Sequence, residues 1–408
     1  MKNFNKIFPA DIISDMLTRL PTESVLKSKL VCKTWKDLIH HPSFPELHLT
    51  RLNHPDSTDS GKLRYVFLNS SDDDDYNKHV CYFEYNDEED WNYAKPKHRK
   101  IMLDTELDSY IVIGSFNGLI CIYGTSHMPE AGPAIIFNPM TKEYVVLPEF
   151  DCYPEYKTKG SITIQYHHLA CGFGYLPETN EYKVVRIYEL GGDPDFIEVE
   201  VYTVGSCNGW RHVGKFGFGF PFDTHYQQTH GVFLNGCLHW RNTEGGMVMV
   251  FDLADEKFRD HISPPPMLMD TDDDEEEDDD DFPVIGVSGG GFLYYAVCHS
   301  FEGRESDGVW LLMKENDDHV MNESEEHQSW GWIKARSLDQ REPFAFLEGG
   351  TVLRYDQGNV KIFLSSTSTW ENLVNFSAIS RQVYPHKHTL VSLKVLGEEN
   401  VEIMKSQQ

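Results

Sequence analysis

No stretch of the chain approaches the roughly 18 consecutive apolar residues that a membrane-spanning helix needs. The opening residues, Met1-Lys2-Asn3-Phe4-Asn5-Lys6, lack the apolar core of a secretory leader. The expectation is a protein of the cytoplasm or the nucleus that does not engage a membrane. Cysteine is sparse, with eight residues in 408, scattered and without a C-x-x-C pair. In a reducing compartment these read as free thiols, not as a disulfide framework. Positive charge is scarce as well. Lys and Arg are outnumbered 36 to 65 by Asp and Glu, and no basic stripe offsets the net −29, so no nucleic-acid partner is expected. No P-loop is present, and no nucleophile, base and oxyanion donor stand at a recognisable spacing. No cofactor, metal or catalytic residue is expected.

What charge there is lies unevenly. Residues 1–50 hold seven Lys and Arg (Lys2, Lys6, Arg19, Lys27, Lys29, Lys33, Lys36) against five acids, a net +2 that leaves −31 for the rest. A basic head on an acidic body suggests two modules with different partners. Residues 8–48 read as three short helices. Pro9 suits a first helical position, and Ile12, Ile13, Met16, Leu17 and Leu20 follow at spacings that place them on one helical face. Pro21 ends that helix, and Thr22 can cap the next, which carries Val25, Leu26 and Leu30. The third holds Trp35, Leu38 and Ile39 and stops before Pro42. So small a unit buries little core by itself and usually needs a partner.

The run Phe8-Pro9-Ala10-Asp11-Ile12-Ile13, Met16-Leu17-Thr18-Arg19-Leu20-Pro21, Ser24-Val25-Leu26, Val31-Cys32-Lys33-Thr34-Trp35 and Pro42-Ser43-Phe44 resembles an F-box. It departs from the family pattern only conservatively, at Phe8, Met16 and Val25. The resemblance implies docking to a Skp-type adaptor and, through it, to a cullin. It assigns the adaptor contact to Phe8, Pro9, Ile12, Ile13, Leu17, Leu20, Pro21, Leu26, Val31, Cys32 and Trp35. Apolar knobs of this kind fill partner pockets, although Trp35 reads equally as the head's own core plug.

From residue 61 the pattern changes to short apolar strands. Gly61, Gly118, Gly174, Gly236, Gly291 and Gly350 each open one, at steps of 57, 56, 62, 55 and 59. A period in that range means stacked or radial repeats. Most units add an aliphatic strand, such as Ala134–Asn138 or Val248–Asp252, and often an aromatic one, such as Trp210–Val213 or Trp330–Lys334. That order is what a kelch-like propeller blade looks like. The blocks Gly114–Cys121, Asn138–Tyr144, Gly172–Tyr175, Tyr182–Arg186 and Asn235–Trp240 resemble the plant F-box-associated domain. The expected fold class is therefore α+β and multidomain. A three-helix, all-α F-box spans 1–50, a linker 51–60, an all-β propeller of kelch-like repeats with about six blades 61–400, and a tail 401–408.

Acidic inserts interrupt the body. The longest, 270–281, contains ten consecutive acids at 272–281 and reads as a solvating loop. Gly286-Val287-Ser288-Gly289-Gly290 fits G-x-S-x-G, but a strand-like run follows where a nucleophile elbow needs a helix. Ser306-Asp307-Gly308 reads as a turn, and Cys237 with His239 as two buried neighbours too few for zinc. The function implied is a non-catalytic substrate receptor of an SCF-type ubiquitin ligase, with loops on one propeller face meeting an unidentified target protein. The alternatives are an adaptor-bound scaffold without ubiquitination and a propeller hydrolase or lectin-like module.

Overall fold

The computed structural model describes residues 8–54, 62–71, 74–86, 97–101, 110–124, 133–148, 166–190, 196–217, 230–242, 246–266, 281–287, 291–299, 305–314, 330–334, 343–346, 352–356, 359–364, 369–375 and 383–404. Two compact units divide the chain. Residues 1–161, 202–211 and 380–408 form the first, and 162–201 with 212–379 the second.

The head contains the three expected helices, α1 (Ala10–Thr18), α2 (Thr22–Ser28) and α3 (Lys33–Ile39), and a fourth, α4 (Phe44–Leu52). Pro45 falls in the first turn of α4, where its missing N–H is not needed, so the Pro42-Ser43-Phe44-Pro45 stretch that ends the third helix also opens a fourth. Pro9 and Pro21 sit at the N-cap positions of α1 and α2, one residue earlier than a first helical position. Thr22 is accordingly not a cap; its hydroxyl donates to the carbonyl of His388 at 2.6 Å. Ile13, Leu17, Val25, Ile39 and Phe44 make the core of the head, and Leu390, far along the chain, joins it.

Among the described residues six sheets of antiparallel strands follow, as many as the glycine-led repeats. The first joins β1 (Lys62–Ser71), β2 (Asp74–Asn86) and β3 (Lys97–Ile101). The second runs β4 (Tyr110–Phe116), β5 (Leu119–Gly124), β6 (Ala134–Asn138), β7 (Glu143–Val146). The third is β8 (Tyr166–Leu176), β9 (Glu181–Leu190), β10 (Phe196–Thr203), β11 (Trp210–Gly217), and the fourth β12 (Val232–Leu234), β13 (Cys237–Arg241), β14 (Val248–Asp252), β15 (Lys257–Phe258). The fifth holds β16 (Asp281–Val287), β17 (Leu293–His299), β18 (Glu305–Lys314) and β19 (Trp330–Lys334). The sixth holds β20 (Pro343–Phe346), β21 (Val352–Asp356), β22 (Asn359–Leu364) and β23 (Thr369–Asn375). The last strands return to the start. β24 (Val383–Pro385) pairs with β1, completing the first sheet, and β25 (Glu402–Ile403) pairs with β7, adding a fifth strand to the second.

The sequence pattern locates three strands in each of the third to sixth sheets, two in the second and one in the first. Glycine marks their start where a tight hairpin requires it: Asn117-Gly118 and Asn235-Gly236 both take positive φ, as a two-residue turn between strands demands. Gly174 departs from this, because it lies inside β8. There a Cβ would come within 2.4 Å of Leu253, so glycine serves close packing, and Asn180 at positive φ makes the turn instead. Ser306-Asp307-Gly308, read as a turn, lies within β18.

Each unit has its own cores. In the first, Val66, Val80, Val112, Ile120, Ile122, Ile135 and Phe137 pack together. In the second, Val185, Ile187, Leu238, Trp240 and Phe251 form one cluster, and Val248, Ile285, Tyr295 and Trp310 another.

Residues 386–404 form a strap across the first unit. α5 (Leu393–Leu396) sits within it, and Met404, expected in a loose tail, is buried against the second sheet with its N–H donating to Lys142 O at 2.8 Å. A repeated turn explains how the strap is held. Asn138 accepts from the N–H of Met140 just as Asp252 accepts from Ala254 and Asp255. Where Asp252 binds Arg259, Asn138 has an amide to donate, and gives it to the carbonyls of Thr389 and Val391. Further along, Glu398 accepts from the N–H of Gly205 at 2.7 Å and from the Tyr202 hydroxyl. Gly205 has φ +78°, and a Cβ there would lie 1.8 Å from the carbonyl oxygen of Leu396. Gly205→Ala is expected to destabilise the protein by on the order of 1–3 kcal/mol through backbone strain and displacement of the strap. Thermal unfolding checks this; an unshifted midpoint contradicts the close approach.

Candidate protein-interaction face of the helical head

An amphipathic helix in a small bundle needs one apolar stripe. α1 has two. Ile13 and Leu17, four apart, point into the core of the head and are buried. Phe8, Ile12 and Met16, also four apart, run along a different side, with 40%, 45% and 53% of their surface exposed. The four large apolar residues of α1, Ile12, Ile13, Met16 and Leu17, therefore do not share one face. Leu30 and Val31, in the turn between α2 and α3, are more exposed still, at 88% and 64%. Large apolar side chains set side by side in water mark an interaction surface.

Each residue assigned to adaptor contact has a definite place. Phe8, Pro9, Ile12 and Val31 are exposed. Leu20, Pro21, Leu26, Cys32 and Trp35 are half-buried, and Leu20, Leu26 and Trp35 pack against the core of the head. Ile13 and Leu17 are core residues with no surface to offer. Met16, Leu30 and the exposed Leu47 of α4 were not singled out as contacts. The signal for Met16 was present in the sequence: Phe8, Ile12 and Met16 keep helical spacing outside the Ile13–Leu17 stripe.

Polar ties keep this surface in shape. Asp15 of α1 binds Arg19 at 2.9 Å and Arg51 of α4 at 2.9 Å, and the hydrogen bond from Arg19, with that from Arg51, holds its carboxyl below the usual range. These pairs are in water and orient more than they stabilise. The buried ring of His48 in α4 lies 2.9 Å from the carbonyl of Leu20 through Nε2 and stacks on Phe44, closing the turn between α1 and α2.

Glu23 in α2 meets a different group. Its carboxylate lies 2.5 Å from Nδ1 of His388 in the strap and 3.8 Å from the buried guanidinium of Arg64 in β1. Burial works to raise the Glu23 carboxyl, but the hydrogen bond from His388 and the nearby charges of His388 and Arg64 overcome it and hold the group down at about 2. Beside it, burial above all, aided by the charges of His388 and Arg64, keeps His386 well below the ordinary imidazole range.

Gly286 and Val287 of the G-x-S-x-G stretch lie in β16, where they pair with Tyr294 and Leu293 of β17, and its last three residues lie outside the described residues. His239 and Cys237 share a face of β13, where His239 Nδ1 donates to Val232 O at 3.1 Å and burial pushes its ring down to about 4. Among the described residues no three His, Cys, Asp or Glu side chains are grouped to hold a metal ion. The described cysteines Cys32, Cys81, Cys121, Cys171, Cys207 and Cys237 are free thiols, and no described helix is long and apolar enough to cross a membrane. The acidic stretch 270–281, apart from Asp281 in β16, lies outside the described residues, as do most of the loops expected to meet a target.

The family model for the F-box domain matches residues 7–47, and that for the F-box associated beta propeller domain matches residues 64–276. An F-box protein of Arabidopsis thaliana is 25% identical over 281 residues, covering 63% of this chain and 60% of its own. A second from the same plant is 27% identical over 273 residues (61% and 58%), and an F-box/kelch-repeat protein 24% over 259 residues (63% and 65%). The chain thus spans about three fifths of the length of the curated relatives it matches. Among solved structures, a Bacteroides caccae protein of unknown function gives a TM-score of 0.39 at 9% identity, over 79% of this chain and 98% of that one. That likeness is too low to bear on function.

Because the folded pKa of Glu23 lies below its ordinary value of 4.5, the pair stabilises the head fully above that value and is lost as the pH falls toward about 2. The stability difference between the wild type and Glu23→Gln should therefore be largest at neutral pH and vanish in strong acid. Denaturant midpoints of the two proteins across that range test this; a gap that stays constant with pH contradicts it.

Proposed function

Since the chain belongs to the plant F-box proteins with an F-box-associated β-propeller domain, we propose that it is the substrate-recognition subunit of an SCF-type ubiquitin ligase. In this reading the head takes a Skp-type adaptor and, through it, a cullin, in the cytoplasm or the nucleus. The sheets take a target protein through their loops. The chain itself does no chemistry. It raises the local concentration of the target near a ubiquitin-conjugating enzyme held elsewhere in the complex.

The observation that carries this reading is the set of exposed apolar side chains Ile12 and Met16 on α1 and Phe8 just before it, together with Leu30 and Val31. All five lie within the segment that matches the F-box. An isolated head of this size has no use for them in its own core, whereas a partner groove does. The net +2 of residues 1–50 also favours encounter with an acidic partner over the acidic remainder of the chain.

Co-purification of the full chain with a Skp-type adaptor is the test. The wild type is expected to capture the adaptor. Ile12→Asp combined with Leu30→Asp should weaken capture by at least about tenfold, since both charges would have to be buried at the interface. The sheets should unfold at an unchanged temperature, because neither side chain is in the core. Equal capture by the double variant would place the contact elsewhere and overturn the assignment.

A further inference from the structure

The head meets the sheets of the first unit through the strap. From α2, the Thr22 hydroxyl donates to His388 O at 2.6 Å and Glu23 pairs with His388 Nδ1 at 2.5 Å. At the end of α4, Lys387 Nζ donates to the side-chain oxygen of Asn53 at 2.7 Å. Between them Leu390 enters the apolar core of the head. The other side of the same short segment is bound to strands. The N–H of His386 donates to Arg64 O at 2.7 Å, and its ring nitrogen Nδ1 lies 2.9 Å from the Ser115 hydroxyl in β4. Thr389 donates to Asn117 O at 2.5 Å, and Asn138 holds the carbonyls of Thr389 and Val391. Glu143, at the start of β7, accepts from Ser392 and from the N–H of Leu393. Gly118 has no room for a Cβ, because Thr389 Oγ1 would lie 2.3 Å from it.

Residues 386–391 are thus gripped on one side by helices and on the other by two sheets. Modules joined through few contacts move against each other by default; a joint with buried, directional bonds on both sides does not. Glu23 is the one acid of α2, and it answers both His388 and Arg64. A displaced helix would leave the buried Arg64 guanidinium facing a missing partner.

We infer that Glu23 and His388 are positioning residues, which fix the angle at which the helical head leaves the first two sheets. For a receptor of the kind proposed above, on which this role rests, that angle sets where a bound target stands relative to the adaptor. Neither residue belongs to the apolar face offered to a partner, so the angle and adaptor capture are separable properties.

The test uses the full chain, with fluorophores on non-natural residues at Lys33 in the head and Val146 in the second sheet, both exposed. Single-molecule energy transfer then reads the width of the distance distribution. The wild type should give one narrow distribution. His388→Ala should widen it roughly twofold, as expected for modules released from a fixed interface. His388→Asn, whose amide nitrogen can stand in for Nδ1 as a donor to Glu23, should restore the narrow form. Capture of a Skp-type adaptor should be the same for all three. An unchanged width in His388→Ala, or no rescue by His388→Asn, overturns the positioning role. If the wild type captures no adaptor while the widths behave as stated, the proposed function fails and the joint stands.

Discussion

Asn138 carries the constraint on which most of the first unit depends. One end of its side chain accepts from Met140 and so shapes the turn between β6 and β7. The other donates to two carbonyls of the strap, at 3.3 Å and 2.8 Å, with the whole residue sealed from water. A carboxylate in its place could shape the turn but would meet those carbonyls without a donor. The fourth sheet has that carboxylate, Asp252, at the matching turn, and there it binds Arg259 instead. One repeat unit has therefore been adapted, by exchange of oxygen for nitrogen, to hold a segment from the far end of the chain.

From that anchor the strap reaches four features of the first unit. β24, just before it, completes the first sheet. Thr389 and Glu143 fix it to the second. Glu398 fixes it to the turn at Gly205. Leu390 and His388 bring the head to the same place. A helical module of four short helices gains from this what its size denies it, since Leu390 enlarges its core. The apolar side chains left outside, on α1 and after α2, face water.

Local features were legible in the sequence and distant ones were not. Three of the four helices of the head could be read from apolar spacing and proline, and the hairpins from Asn-Gly pairs at 117–118 and 235–236, because those signals act within a few residues. The pairing of β24 with β1 could not be read, since 383–385 and 65–67 have no local mark of each other. Nor could the role of Gly174, where the reason for glycine is Leu253, a residue distant in the chain. On the candidate face, spacing grouped Ile12 with Ile13 and Met16 with Leu17. Only packing against Val25, Ile39 and Phe44 separates the core pair from the exposed one. The role of Glu23 and His388 was invisible for the same reason: they are 365 positions apart.

Hydrogen exchange on the full chain, alone and with a Skp-type adaptor, tests the account most directly. Amides of 386–396 should exchange as slowly as those of β5 and β6, and the adaptor should slow exchange across α1 and the turn at Leu30 and Val31 while leaving the strap unchanged. Fast exchange throughout 386–396 in the free protein would contradict the claim that this segment holds the head to the sheets.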